Sequence, residues 1–272
     1  VEFRVLGTLE VLDSNGHPVE LRGSKLRTLL AVLLLRAGQP VSAERLADHL
    51  WGDSPPSGAA NALQAHVSKL RRLLDDGLLD GRDGGYLLSV DPEEIDSGRF
   101  AALARRGHEQ ILEGRHDEAA DTLRRALDMW RGPALEDFMF DEFADAARTT
   151  LEEMRLTTLE ERIDADLAGG SHEAVAAELE GLVREHPLRE RLWAELMIAL
   201  YRCGRQSDSL RAFQRARQVL IDELGLEPGP ELRQLEQQVL AHDPSLSPAT
   251  RRRGTPRLTN IHPELTSFVG RS

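Results

Sequence analysis

A single cysteine, Cys203, among 272 residues excludes an internal disulfide and any multi-thiolate zinc site. Its apolar helical surroundings predict a small buried core residue in a reducing compartment. Nowhere does an apolar run approach the ~20 residues needed to cross a bilayer. The longest, Leu29 to Leu35, has arginines close on both sides and reads as part of an amphipathic helix. Val1 to Leu12 alternates like a strand and lacks the basic and apolar regions of a signal peptide. The chain opens on Val1 rather than Met, as a trimmed chain would. A cytoplasmic, nucleoid-associated protein without membrane contact is expected.

Catalytic signatures are missing as well. There is no G-x-x-x-x-G-K-[ST] phosphate loop, no H-E-x-x-H among the nine histidines and no G-x-S-x-G elbow. Neither an enzyme nor a bound metal or cofactor is therefore expected of this chain. Aromatics make up only 4%. Trp51, Trp130 and Trp193 each fall in or at the end of an apolar helical pattern, which favours core packing over base stacking.

What is present is charge, unevenly placed. The net charge of −12 divides into −2 for residues 1–92, −14 for 93–247 and +4 for 248–272. Within the first segment, Ser57 to Leu74 holds Lys69, Arg71 and Arg72 and no acid, so a positive surface sits inside a nearly neutral module. Attraction to a polyanion depends on such local patches rather than on the charge of the whole chain.

The pattern of residues changes at Asp91-Pro92. Before it, Phe3, Val5, Leu9, Val11, Val19 and Leu21 alternate around an Asn15-Gly16 turn, predicting two or three short antiparallel strands. Ser24 is placed to cap a helix reaching about Ala37, closed by Gly38 with Pro40 beyond, and Ser42 to cap a second that ends at Gly52. A third runs from about Ser57 to Leu74 with Leu63, Val67, Leu70 and Leu74 as its buried stripe. Leu78 to Val90 reads as a hairpin turned by Gly81, Gly84 and Gly85, with Tyr86 in its core. After Pro92 about seven helices follow, to His242. Gly114 with Glu118-Ala119, Gly169 with Glu173-Ala174 and Gly204 with Asp208-Ser209 repeat a spacing, the last two 35 residues apart, close to the tetratricopeptide period. Residues 244–272, with four prolines and Arg251-Arg252-Arg253, read as a solvated linker. The fold class is mainly α with a small β component: a winged helix-turn-helix over 1–92, an all-α tetratricopeptide-like domain over 93–245, and a linker over 246–272.

The third helix leaves Asn61, Gln64, Ser68, Lys69, Arg71 and Arg72 off its buried stripe. Arg can bond guanine through two donors, Asn or Gln can do so with adenine, and Lys and Arg neutralise phosphates. His66 suits either a groove-edge contact or helix packing. A helix-turn-helix followed by a Gly-tipped hairpin carrying Arg82 is the arrangement by which winged helices reach major and minor grooves together. Double-stranded DNA is the partner these residue types predict. A protein-docking use of the same module is the competing reading.

Residues 1–92 also resemble the winged-helix domain of OmpR/PhoB-type regulators. Leu63-Gln64-Ala65-His66-Val67-Ser68-Lys69-Leu70-Arg71-Arg72 is similar to that family's V-x-V-H-I-x-x-L-R-+ recognition helix, and Arg82-Asp83-Gly84-Gly85-Tyr86 to its R-G-x-G-Y hairpin. The likeness implies base and phosphate contacts at His66, Ser68, Lys69, Arg71 and Arg72, and a minor-groove contact at Arg82. Ser68 stands where the family usually has Arg, and Asp83 where it has Gly. Such a domain ahead of an all-helical one, over about 1–245, resembles the Streptomyces antibiotic regulatory proteins, whose second part is the bacterial transcriptional activation domain. Leu265 to Arg271 is similar to the start of the nucleotidase domain of the large AfsR-like members, implying an N-terminal fragment of such a regulator. The resemblance implies an activator of antibiotic genes. It would bind direct repeats near the promoter −35 element as a side-by-side pair of protomers and recruit RNA polymerase through region 4 of the sigma factor.

Overall fold

The computed structural model describes residues 1–75, 77–82 and 84–247. It begins with β1 (Glu2–Arg4) and β2 (Glu10–Leu12), antiparallel, with Phe3 opposite Val11 and both buried. The Asp13 carboxylate accepts the N–H groups of Asn15 and His17 and shapes the turn, where Gly16 takes a φ of 81°. Three helices follow, α1 (Ser24–Leu34), α2 (Ala43–Trp51) and α3 (Ala59–Leu73), then the hairpin β4 (Leu79–Arg82) and β5 (Gly85–Leu88).

Between α1 and α2 lies β3 (Val41–Ser42), too short to show alternation, which pairs with β5 and gives a second sheet in the order β3-β5-β4. Ser42 caps α2 by accepting the Arg45 N–H at 3.2 Å, as its position predicts. Ser24 does not cap α1: it is the first helical residue and the cap is Gly23, without a side-chain bond. Gly81 is likewise not a turn residue but a strand residue paired with Tyr86. The close approach falls at Gly85, where a Cβ would lie 2.1 Å from the Val41 carbonyl oxygen.

Beyond Pro92 come α4 (Asp96–Leu112), α5 (His116–Leu127), α6 (Glu142–Gly169), α7 (His172–Glu185), α8 (Glu190–Arg202), α9 (Gln206–Leu224) and α10 (Pro230–Leu240). Consecutive helices pack as neighbours, as in stacked helical repeats. The repeat is phased one residue later than its spacing predicts at the middle unit. The left-handed glycine ending α6 is Gly170, not Gly169, and the buried residue five positions on is Val175, matching Ala119 after Gly114 and Ser209 after Gly204. Gly170 and Gly204 are 34 residues apart. Gly107 lets α4 close on α5, since a Cβ there would meet the Leu123 side chain at 2.3 Å.

Trp130 and Trp193 are buried, and the half-buried Trp51 packs against the first core. Cys203 is not the fully buried residue expected; it is half-buried at the C-cap of α8, where burial raises its thiol pKa. Residues 244–246, read above as the start of a linker, form a short 3-10 turn whose Leu246 is buried against the helical core. The linker assignment for 248–272, the Arg251–Arg253 cluster, the 265–271 likeness and Asp83 lie outside the described residues. No described helix is long and apolar enough to span a membrane.

The segment Val5 to Gly7 is clamped by the connection between α5 and α6. Arg131 N–H donates to the Leu6 carbonyl at 2.9 Å, Leu135 N–H to Val5 at 2.9 Å and Glu136 N–H to Gly7 at 3.1 Å. From the other side, the buried Asp96 carboxylate accepts the Val5 and Leu6 N–H groups at 2.8 and 3.1 Å. Burial raises the Asp96 pKa, while those two donors and Arg131 lower it. Leu135, Phe138 and Ala144 complete the hydrophobic core of the strand and winged-helix region, so the apolar interior is continuous across the change in sequence character.

Candidate nucleic-acid interface

Helix α3 is made of strong helix formers, among them Ala59, Ala62, Leu63, Ala65, Leu70 and Leu73. Arg71 and Arg72 fall in its last turn, where positive charge complements the helix dipole. Leu63, Val67 and Leu70 are buried against α1 and α2, with Leu74 just beyond. At 3.6 residues per turn the opposite side carries Asn61, Ala65, Ser68 and Arg72 in one stripe, spaced by four, three and four, all exposed. Gln64 and Arg71 flank it on the edge nearer Val67, and Lys69 flanks it on the other edge. Fifteen residues give a rod of about 22 Å, enough to lie along a major groove.

The cations on this helix are held by backbone oxygens. Arg71 Nε donates to the Leu79 carbonyl at 2.8 Å, tying the helix to strand β4 of the wing. Lys69 Nζ donates to the Arg22 carbonyl at 3.2 Å, and Arg72 Nε to the Ser68 carbonyl at 3.3 Å. A carbonyl partner orients a cation without neutralising it, so the positive field of the face survives. Arg82 ends β4 beside the turn, exposed.

His66 sits apart from that stripe. It is half-buried at the contact with α2, its ring 6.4 Å from that of Trp51. Burial lowers its pKa, and the charges of Lys69 and Lys25 lower it further, so the imidazole is neutral at pH 7. Of the two roles open to it, packing between helices is the one this environment favours. Lys25 was not anticipated. From the first turn of α1 its ammonium reaches the Leu50 carbonyl at the end of α2, and it acts electrostatically on His66. No local pattern joins Lys25 to α3; only the fold brings its charge near.

The structure thus gathers Asn61, Gln64, Ser68, Lys69, Arg71 and Arg72 on the outer face of one helix and fixes the wing to that helix through Arg71. Ser68 presents a hydroxyl at the centre of the stripe, where it can accept or donate but adds no charge.

Comparison with known proteins divides along the same lines. Residues 16–88 match the family described as "Transcriptional regulatory protein, C terminal", and residues 95–240 the "Bacterial transcriptional activator domain". The chain is 41% identical over 255 residues to the transcriptional regulator RedD of Streptomyces coelicolor, covering 90% of this chain and 72% of that one. It is 39% identical over 278 residues to the regulatory protein AfsR of the same organism, covering all of this chain but 28% of that protein. Among solved structures, Mycobacterium tuberculosis EmbR in complex with a low-affinity phosphopeptide superposes with a TM-score of 0.86 at 38% identity, over 89% of this chain and 65% of that one.

Proposed function

Since the chain belongs to the Streptomyces antibiotic regulatory protein family of transcriptional regulators, we propose that it reads duplex DNA with α3 in the major groove and Arg82 of the wing in the adjacent minor groove. The observation that carries this reading is the acid-free outer face of α3, whose cations keep their charge because their partners are carbonyl oxygens. Asn61, Gln64, Ser68 and Arg72 face base edges. Lys69 neutralises phosphate, and Arg71 serves both the DNA face and the fixing of the wing. His66 supports the helix from its contact with Trp51. Residues 1–92 form the DNA-binding unit, and 93–245 the activation unit, whose charge of −14 repels DNA and suits basic surfaces of the transcription machinery. Two protomers lie side by side on direct repeats near a promoter and recruit RNA polymerase through the sigma factor.

Selection from random duplexes with the purified chain, followed by affinity against salt concentration, tests this. The expected outcome is an enriched direct repeat spaced by about one helical turn of ~10 base pairs and a steep loss of affinity with salt, because phosphate neutralisation sets the slope. No enriched sequence would leave the winged helix as a protein-docking module. An enriched inverted repeat would reject the side-by-side arrangement.

A further inference from the structure

Away from α3, the α1–α2 region carries a second group of cations. A cavity of about 250 Å³ opens between the end of α1, strand β3, the outer face of α2 and the first turn of α6. Arg36, Arg45 and His49 edge it, and Val32, Val41 and Phe143 are among its apolar lining. Arg45 and His49 lie one turn apart on α2. Among the lining residues none comes from α3.

Among the described residues neither the Arg36 nor the Arg45 guanidinium has a hydrogen-bond or ion-pair partner. The His49 ring stands 5.7 Å from that of Phe143 and lies close enough to feel both arginines. Burial lowers its pKa first, then Arg45 and Arg36, with Asp48 and Glu142 acting in the opposite sense. The imidazole is therefore neutral at pH 7, with one nitrogen to donate and one to accept. A bound anion would gain charge-assisted hydrogen bonds from both guanidinium groups. The apolar lining offers nothing to a bare inorganic ion but would shelter a hydrocarbon body. The cavity lies just below the ~300–1,000 Å³ of pockets that take drug-sized ligands, which sets the scale of the ligand.

We propose that this cavity binds a small organic anion, a carboxylate or phosphate monoester head on an apolar body. Arg36 and Arg45 hold the head, His49 adds a neutral hydrogen bond, and Val32, Val41 and Phe143 enclose the body. The site spans α1 and α2 of the winged helix and α6 of the helical region, so an occupant ties the two together.

Titrations of the full chain with phenyl phosphate, benzoate, inorganic phosphate and benzyl alcohol, followed by amide NMR shifts and calorimetry, test the assignment. Phenyl phosphate and benzoate saturate at millimolar concentration or below, shifting signals around His49 and Phe143. Inorganic phosphate binds at least about tenfold more weakly for want of an apolar body, and neutral benzyl alcohol does not bind measurably. Arg36→Gln and Arg45→Gln each weaken phenyl phosphate by about tenfold while helical content is unchanged. The proposal falls if no probe saturates, if inorganic phosphate binds as well as phenyl phosphate, or if both substitutions leave binding intact. It falls too if Arg36→Gln and Arg45→Gln lower duplex affinity as Arg72→Ala does while no probe binds, since the two cations then serve the DNA backbone. Loss of duplex selection by the parent chain, with probe binding retained, would overturn the reading of α3 alone.

Discussion

Cations on α3 and several in the helical repeats are held in opposite ways. Lys69, Arg71 and Arg72 rest on main-chain carbonyls. In the repeats, Arg162 is buried between Asp166 and Glu178, Arg189 bonds Glu160 at 2.8 Å and Glu153 at 2.9 Å, and Arg191 reaches Asp164 at 2.6 Å. Pairing with carboxylates consumes charge to hold helices together; resting on carbonyls keeps it available to an outside partner. Most of the paired repeat arginines therefore spend their charge inside the fold, Arg202 on the Leu167 and Leu246 carbonyls being an exception, whereas the cations of α3 keep theirs.

Substitutions on each side should separate the two roles. The largest effect is expected from Arg162→Ala. It removes one of the two guanidinium partners of the buried Asp166, Arg124 remaining, and leaves Glu178 without its partner, costing about 3 kcal/mol in denaturant unfolding with duplex affinity per folded molecule unchanged. Equal stability would show that the repeat network is slack. Next comes Arg72→Ala, expected to weaken selected-duplex binding by about 1–3 kcal/mol, as for a lost base contact, with the melting temperature unmoved. Arg71→Ala should lower binding and also loosen the wing, visible as faster amide exchange around Leu79, because its guanidinium holds that carbonyl. Were the two variants indistinguishable by exchange, Arg71 would have no part in fixing the wing.

Glu195→Gln should act through pH rather than through a lost contact. Glu195 is 2% exposed, and its pKa is pushed up to about 9 by burial first and by the charges of Asp164 and Glu160, against the pull of Arg191. The folded state therefore keeps a proton that the unfolded chain loses above its ordinary value of 4.5. Its stability contribution is full below about pH 4.5 and falls as pH rises toward 9. Glutamine removes that slope. Thermal melts from acid to alkaline pH should show the variant level with the parent near pH 4 and progressively more stable than it as pH rises toward 8. A parallel slope in both proteins would mean that Glu195 is ionised in the fold.

Helix positions were legible because periodicity is a local property: the buried stripe at 63, 67, 70 and 74 and the start and end of α9 follow from spacing alone. Strand β3 was not legible, since two residues cannot show alternation and their pairing with β5 is set 43 positions away. The middle repeat was misphased because Gly169 and Gly170 are adjacent and only the backbone shows which one turns left-handed. Of the candidate interface, the residue types and their face could be read, whereas the Arg71 contact with Leu79, the neutral His66 and the nearness of Lys25 depend on tertiary placement. The cavity beside Arg36 and Arg45 gave no sequence signal, being assembled from four separate elements.

The clamp on Val5 to Gly7 has a geometric consequence. Hydrogen bonds from the Arg131, Leu135 and Glu136 N–H groups on one side, and to the Asp96 carboxylate on the other, fasten the end of the first strand to the helical repeats. A recognition helix seated in a groove would then set the azimuth of the acidic domain around the duplex, turning distance in base pairs into an angle. Moving a binding site by about half a helical turn, ~5 base pairs, would swing that domain to the far side of the DNA cylinder. On DNA, the clamp would make the protein a protractor as much as a reader.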